Sequence, residues 1–250
     1  RPRDAKPPFR LSPPKPLSRN LHRGYHAPVK TAGHQRFEAL DSLRGVCAVL
    51  VVMFHMPVAS HWRDWGLVQH AYLFVDYFFV LSGFVIAHAY ANRLKSGRDA
   101  GRFMVRRFGR IWPLHLLMLG AFVLLELARL IFHFDGAVPF TRDRSVEAIF
   151  SNLLLVQAWR VHPYLTWNGP AWTLSAEWAC YLIFAGLVLI APRRFRWIGL
   201  VLAVVGGALV LAYARRWMNT TFDLAVPRAV YGFFLGCLLQ GLWTRAVSYT

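Results

Sequence analysis

Phe37-Glu-Ala-Leu-Asp-Ser-Leu-Arg-Gly-Val-Cys-Ala-Val-Leu-Val-Val-Met-Phe-His55 is an apolar stretch of membrane-crossing length that still carries Glu38, Asp41, Arg44 and His55. A helix turns about 100° and rises about 1.5 Å per residue, so Arg44 and His55 share a face and stand about 16 Å apart along the axis. Asp41 lies three positions before Arg44 and joins that stripe. Ionisable groups that face lipid are costly, so such side chains normally face a bundle interior or a wet cavity and mark a site. The segment therefore reads as one wall of an active site.

The rest of the composition agrees with a membrane setting. Of the 250 residues, 56% are hydrophobic and 15% aromatic, and several apolar runs approach or exceed the roughly eighteen residues that cross hydrocarbon. The expected fold is all-α: a polytopic integral membrane bundle of about six to seven apolar helices, one of them re-entrant or surface-lying. A net charge of +17 could suggest a nucleic-acid partner. The basic residues, however, sit in blocks between apolar segments, which is how loops are held on the cytoplasmic side. The expected partner is the lipid bilayer, with no nucleic acid. Cys47, Cys180 and Cys237 all fall inside apolar segments without paired spacing and read as packing residues.

Residues 1–36 hold seven of the 14 prolines and nine Lys or Arg against one Asp, the composition of a disordered basic cytoplasmic tail. Residues 37–250 form the transmembrane domain. After the first segment, about Gln69 to Ala91 makes a second, containing Asp76 and the Ser82-Gly83 pair that lets helices approach closely. Between Asn92 and Arg110 stand seven Lys or Arg and one Asp, read as a cytoplasmic loop, which places the N-terminus on the same side. Arg107 and Arg110 are three apart at the mouth of the third segment, about Ile111 to Phe132. Two guanidinium groups there suit phosphates; the plainer reading is an anionic-lipid anchor or a topology signal. In that third segment His115 is expected to snorkel to the interface and Glu126 to pair with Arg129.

Ser145 to Trp159 is apolar but short for a span. Pro192-Arg-Arg-Phe-Arg196 ends the next segment on the basic side, so parity makes the short piece re-entrant or surface-lying. Gly169-Pro170 marks a turn before a helix that carries one acid, Glu177. A buried Glu177 needs a cation such as Arg44 or His55, or else interfacial water. The last two segments, about Trp197 to Tyr213 and Pro227 to Trp243, carry almost no ionisable groups and read as scaffold.

No His-Glu-x-x-His, Gly-x-x-x-x-Gly-Lys-Ser/Thr, Gly-x-Ser-x-Gly or Cys-x-x-Cys occurs, so zinc hydrolysis, ATP-driven work and hydrolase-elbow chemistry have no support. An intramembrane histidine with acids and arginines nearby remains. It could take a proton from a hydroxyl, with a carboxylate to orient it. It could equally serve a small-metabolite transporter or exporter as a relay residue, and a non-catalytic scaffold is a third reading.

Four blocks in order, Leu40-Asp-Ser-Leu-Arg-Gly45 continuing to His55, Val75-Asp-Tyr-Phe-Phe-Val-Leu-Ser-Gly-Phe84, Arg106-Arg-Phe-Gly-Arg-Ile-Trp-Pro113 and Ala171-Trp-Thr-Leu-Ser-Ala-Glu-Trp178, resemble the successive signatures of the acyltransferase 3 family. A weaker run, Pro227-Arg-Ala-Val-Tyr-Gly-Phe-Phe-Leu-Gly236, resembles a later one. The resemblance implies a membrane-bound enzyme of the bacterial inner membrane that transfers an acyl group from acyl-CoA, usually acetyl-CoA, to a carbohydrate hydroxyl, with no metal. Carried over by position, His55 is similar to the family's essential histidine and Arg44 to the arginine of its first motif. Arg107 and Arg110 match its Arg-x-x-Arg pair, and Glu177 matches the acid of its Trp-Ser-Leu-x-x-Glu segment, with Thr173 here in place of Ser. Members usually have more spans, which leads to the expectation that further C-terminal helices are missing from this chain.

On that footing the expected catalytic residues are His55, Arg44, Asp41, Glu177 and Asp76, the last two as orienting partners. Arg107, Arg110, Ser82 and Gly83 are the expected residues of the acyl-CoA site.

Overall fold

The computed structural model describes residues 38–56, 61–133, 136–214 and 218–248. The basic tail lies outside the described residues. The helices are α1 Glu38–His55, α2 Gly66–Gln69, α3 Phe74–Tyr90, α4 Gly97–Phe132, α5 Val146–Leu153, α6 Trp172–Ile190, α7 Phe195–Tyr213 and α8 Ala225–Ser248, joined by short 3-10 and irregular turns. Among the described residues five helical stretches are long and apolar enough to cross a membrane: Ala71–Tyr90, Gly97–Phe132, Gly169–Ile190, Pro192–Tyr213 and Ala225–Ser248. With the 18-residue α1 they make the all-helical, polytopic membrane bundle expected. The eight residues of α5 reach only about 12 Å, so the 145–159 piece contains no span.

α4 corrects the reading of Asn92 to Arg110 as a loop. Ser96 caps its N-terminus, accepting at Oγ from the Asp99 N–H at 3.2 Å while its own hydroxyl donates to Asp99 Oδ2 at 2.7 Å. This reciprocal cap starts the helix at Gly97. The 36-residue helix is about 54 Å long, far more than the roughly 30 Å of hydrocarbon, so much of its length lies beyond the apolar layer.

α8 is the hub, with α3, α7 and α6 packed around it and Phe103, Phe184, Phe233 and Phe234 filling the centre. α3 and α8 meet backbone to backbone. A Cβ on Gly83 would lie 1.8 Å from the Phe233 carbonyl oxygen, and one on Gly236 would lie 1.9 Å from that of Val80. Only hydrogen fits at either place. Gly83 thus serves the close packing of α3 against α8.

A second tie crosses the same pair of helices. Arg228, 1% exposed, donates from Nε to Asp76 Oδ1 at 2.8 Å and from Nη2 to Oδ2 at 2.7 Å. Its remaining bonds go to the carbonyls of Thr220 (2.6 Å) and Tyr72 (2.8 Å), and its guanidinium lies 5.4 Å from the centre of the Trp172 ring. The final helix, read from its sequence as scaffold with almost no ionisable groups, thus holds one buried cation that ties it to α3.

α4 is held to the segments that follow by polar contacts. Glu126, 2% exposed, accepts from Arg129 (2.6 Å), as expected, and also from Arg144 (2.5 Å) and the Phe140 N–H (3.1 Å). His115 does not snorkel. It is 2% exposed, and its Nε2 donates to the Asn152 carbonyl at 3.0 Å, anchoring the short α5.

Gly236→Ala is expected to lower the thermal midpoint in detergent sharply, since overpacking costs typically about 1–3 kcal/mol and here meets backbone. Gly101→Ala, where a Cβ meets nothing within 4 Å, should leave it unchanged or slightly raised. Arg228→Met alone should destabilise by about 3–5 kcal/mol, and adding Asp76→Leu should recover most of that loss. Failure of the double variant to recover would show that the pair does more than neutralise itself.

Candidate active site

α1, α3 and α6 enclose a cavity of about 190 Å³. α1 supplies Val51 and His55, α3 supplies Val75, Phe78 and Phe79, the turn before α6 supplies Pro170, and the start of α6 supplies Trp172, Thr173 and Glu177. The Gly169–Ala171 3-10 turn, with proline in its first positions, launches α6 at the cavity rim. At roughly 30 Å³ per water, the volume suits a few waters, or a small acyl group with the hydroxyl it meets.

His55 ends α1. Its Nδ1 lies 2.8 Å from the Val51 carbonyl oxygen. A carbonyl has no proton to give, so Nδ1 is the donor and a neutral ring keeps its lone pair on Nε2. That is the tautomer a proton acceptor needs.

Glu177 meets neither Arg44 nor His55 in a hydrogen bond or ion pair. Its Oε1 accepts from Ser82 Oγ at 2.5 Å and from the Tyr181 hydroxyl at 2.6 Å. Both donors are neutral hydroxyls, so Oε1 is held by hydrogen bonds and not by a direct ion pair. Thr173, Glu177 and Tyr181 are spaced four apart on α6 and share a face. That face runs about 12 Å from the cavity into the bundle.

At its inner end stands Arg107 of α4. The guanidinium carbon lies 5.2 Å from the Tyr90 ring centre and 5.8 Å from those of Phe103 and Tyr181. Its Nε is buried without a hydrogen-bond partner. Arg110, three residues on, is exposed. The two arginines thus occupy different settings, one in an aromatic cage and one in the open.

The structure brings His55 and Glu177 to one cavity, and Ser82 to Glu177. Asp41 and Arg44 pair with each other at 3.1 Å, about three to four turns before His55, and neither lines the cavity. Asp76 also stays off the cavity wall, because both its oxygens are engaged by Arg228. Sequence reasoning missed Tyr181 and Arg228. The Thr173, Glu177, Tyr181 spacing was the available signal for the first.

The acyltransferase domain family, acyltransferase 3, matches residues 37–248. Protein 2 in the picA locus of Rhizobium radiobacter is 34% identical over 193 residues, covering 72% of this chain and 96% of that protein. Acyltransferase MdmB of Streptomyces mycarofaciens is 30% identical over 177 residues, 65% of this chain and 42% of its own. A putative peptidoglycan O-acetyltransferase of Bacillus subtilis, YrhL, is 34% identical over 242 residues, 88% of this chain and 35% of its own. The chain spans nearly all of the first relative and less than half of the other two. No solved structure matches. The chain belongs to the acyltransferase 3 family of membrane acyltransferases.

Proposed function

We propose that this acyltransferase moves an acyl group, acetyl by preference, from acyl-CoA at the arginine-rich end of the bundle to a carbohydrate hydroxyl admitted at the His55 end. The observation that carries the reading is the continuous path His55 cavity, Glu177, Tyr181, Arg107, which joins a proton acceptor to a cation that suits phosphates. The names of relatives such as YrhL point to a glycan as acceptor. Positive residues on the Arg107 side favour a cytoplasmic location for that end and for the N-terminus, with donor from the cytoplasm of a bacterial inner membrane.

In this scheme the phosphates of the donor meet Arg107 and Arg110, and the pantetheine arm runs along the bundle toward the cavity. Arg44, paired with Asp41, lies about 16 Å from His55 along α1, on the donor's path. His55 Nε2 takes the proton of the acceptor hydroxyl as its oxygen attacks the thioester carbonyl. The C–S bond then breaks, the acyl ester forms, and the CoA thiolate leaves and takes up a proton. The Glu177 charge stabilises the imidazolium formed in between.

His55→Gln is expected to lower acyl transfer from labelled acetyl-CoA in membranes by about 10²–10⁴-fold with donor binding retained. Transfer at the normal rate would overturn the assignment. Replacing Arg107 and Arg110 together by Ala should raise the KM for acyl-CoA by at least tenfold, about 1.4 kcal/mol of donor binding. An unchanged KM would return the pair to a topology signal.

A further inference from the structure

On another side of α6 from the His55 cavity, three adjoining cavities of about 540, 480 and 380 Å³ share two residues, Arg160 and Asp223. The α6 residues that line the 480 Å³ cavity, Ala179, Leu182 and Ile183, lie roughly 100–160° around the helix from the Thr173 and Glu177 face. The crevice is therefore separate from the candidate active site. The 480 Å³ part is walled by aliphatic side chains of α6, and Leu209 of α7 and the Phe222 ring border the part beside it. From Trp172 to Leu182, α6 descends about 15 Å, the depth of one leaflet.

The two shared residues are opposite in charge but are not paired with each other. Arg160 is exposed and forms no hydrogen bond or ion pair among the described residues. Its backbone is left-handed, with φ 61°, an unfavourable conformation for a side chain of this size. Asp223 Oδ1 accepts from Thr220 Oγ1 at 2.6 Å and from the Thr221 N–H at 3.1 Å, whereas Oδ2 has no partner among the described residues. Trp159 and Tyr213, both exposed, stand at the same mouth. Such aromatic residues sit at headgroup level in a bilayer.

We propose that this crevice binds a glycerophospholipid with a zwitterionic phosphate-and-ammonium headgroup. The phosphate takes the guanidinium of Arg160, a geometry arginine favours. The ammonium meets the free oxygen of Asp223, and one acyl chain lies along the aliphatic wall of α6 and α7. A headgroup with negative charge alone would gain Arg160 but face Asp223. One with positive charge alone would have the reverse difficulty. Only a headgroup carrying both charges satisfies the two residues together. The inference does not depend on the roles proposed for His55 or Arg107.

The full chain, purified in mild detergent, is titrated separately with dioleoylphosphatidylethanolamine, dioleoylphosphatidylglycerol and undecaprenyl phosphate, and bound lipid is counted by native mass spectrometry. The wild-type protein should retain the ethanolamine lipid about fivefold more than the glycerol lipid, a ratio that one partly exposed charge contact supports. Asp223→Asn keeps an acceptor oxygen for Thr220 and Thr221 and should abolish that preference. Arg160→Gln should lower retention of both lipids about fivefold, and Leu182→Trp should do so by filling the crevice without touching either charge. Equal retention of the two glycerophospholipids by the wild-type protein would overturn the proposal. So would stronger retention of undecaprenyl phosphate, which would make the crevice a site for lipid-linked glycan carriers. The wild-type ranking decides the matter even where a variant fails to fold.

Discussion

Burying the guanidinium of Arg228 is the constraint around which this bundle is arranged. A charge removed from water is tolerable only when its donors are met and its charge is balanced. Asp76 supplies two oxygens in a bidentate pair, and the carbonyls of Tyr72 and Thr220 take further N–H groups. Meeting those needs draws together α3, the turn before it, the segment leading into α8, and the Trp172 ring that lies against the guanidinium. Each is at the end of the bundle where the His55 cavity opens. Val75, beside Asp76, and Trp172 are both part of that cavity's wall. The ion pair therefore shapes the site without entering it.

The glycine contact between α3 and α8 works on the same pair of helices. Because Gly83 and Gly236 admit the facing backbone, Ser82 is carried close enough to α6 for its hydroxyl to reach Glu177. A wider spacing would strand that hydroxyl at a depth where water is scarce. Ser82 and Gly83 thus share one cause. The small residue sets the helix separation, and its polar neighbour uses it.

Much of this was legible in the sequence because it rests on local periodicity. The helical stripe of α1, the apolar spans, the shortfall of the 145–159 piece and the Glu126 to Arg129 pairing all follow from spacings of a few residues. The start of α4 was equally local. Ser96 and Asp99 form a capping pair, but the dense positive charge that follows drew the reading toward a loop. Other features depend on distant partners. Arg228 and Asp76 are 152 residues apart, and Ser82 and Glu177 are 95 apart. His115 is buried because a main-chain carbonyl, that of Asn152, accepts from it, and side-chain patterns carry no mark of such a partner. Of the candidate site, His55 and Glu177 could be picked out individually; the Tyr181 link between Glu177 and Arg107 required the packing of α4 against α6.

The two carboxylates of the bundle are held in contrasting ways. Asp76 is neutralised by a buried guanidinium, and its oxygens are fully spent on holding helices together. Glu177 is fixed by two hydroxyls, which position Oε1 at the cavity wall without a direct ion pair. An Arg44 to Glu177 pair would have drawn a cation to the cavity wall in the manner of the Asp76 to Arg228 pair. Arg44 is instead occupied with Asp41 on its own helix. The strong cations thus sit on structural acids, and neutral hydroxyls hold the acid that lines the His55 cavity.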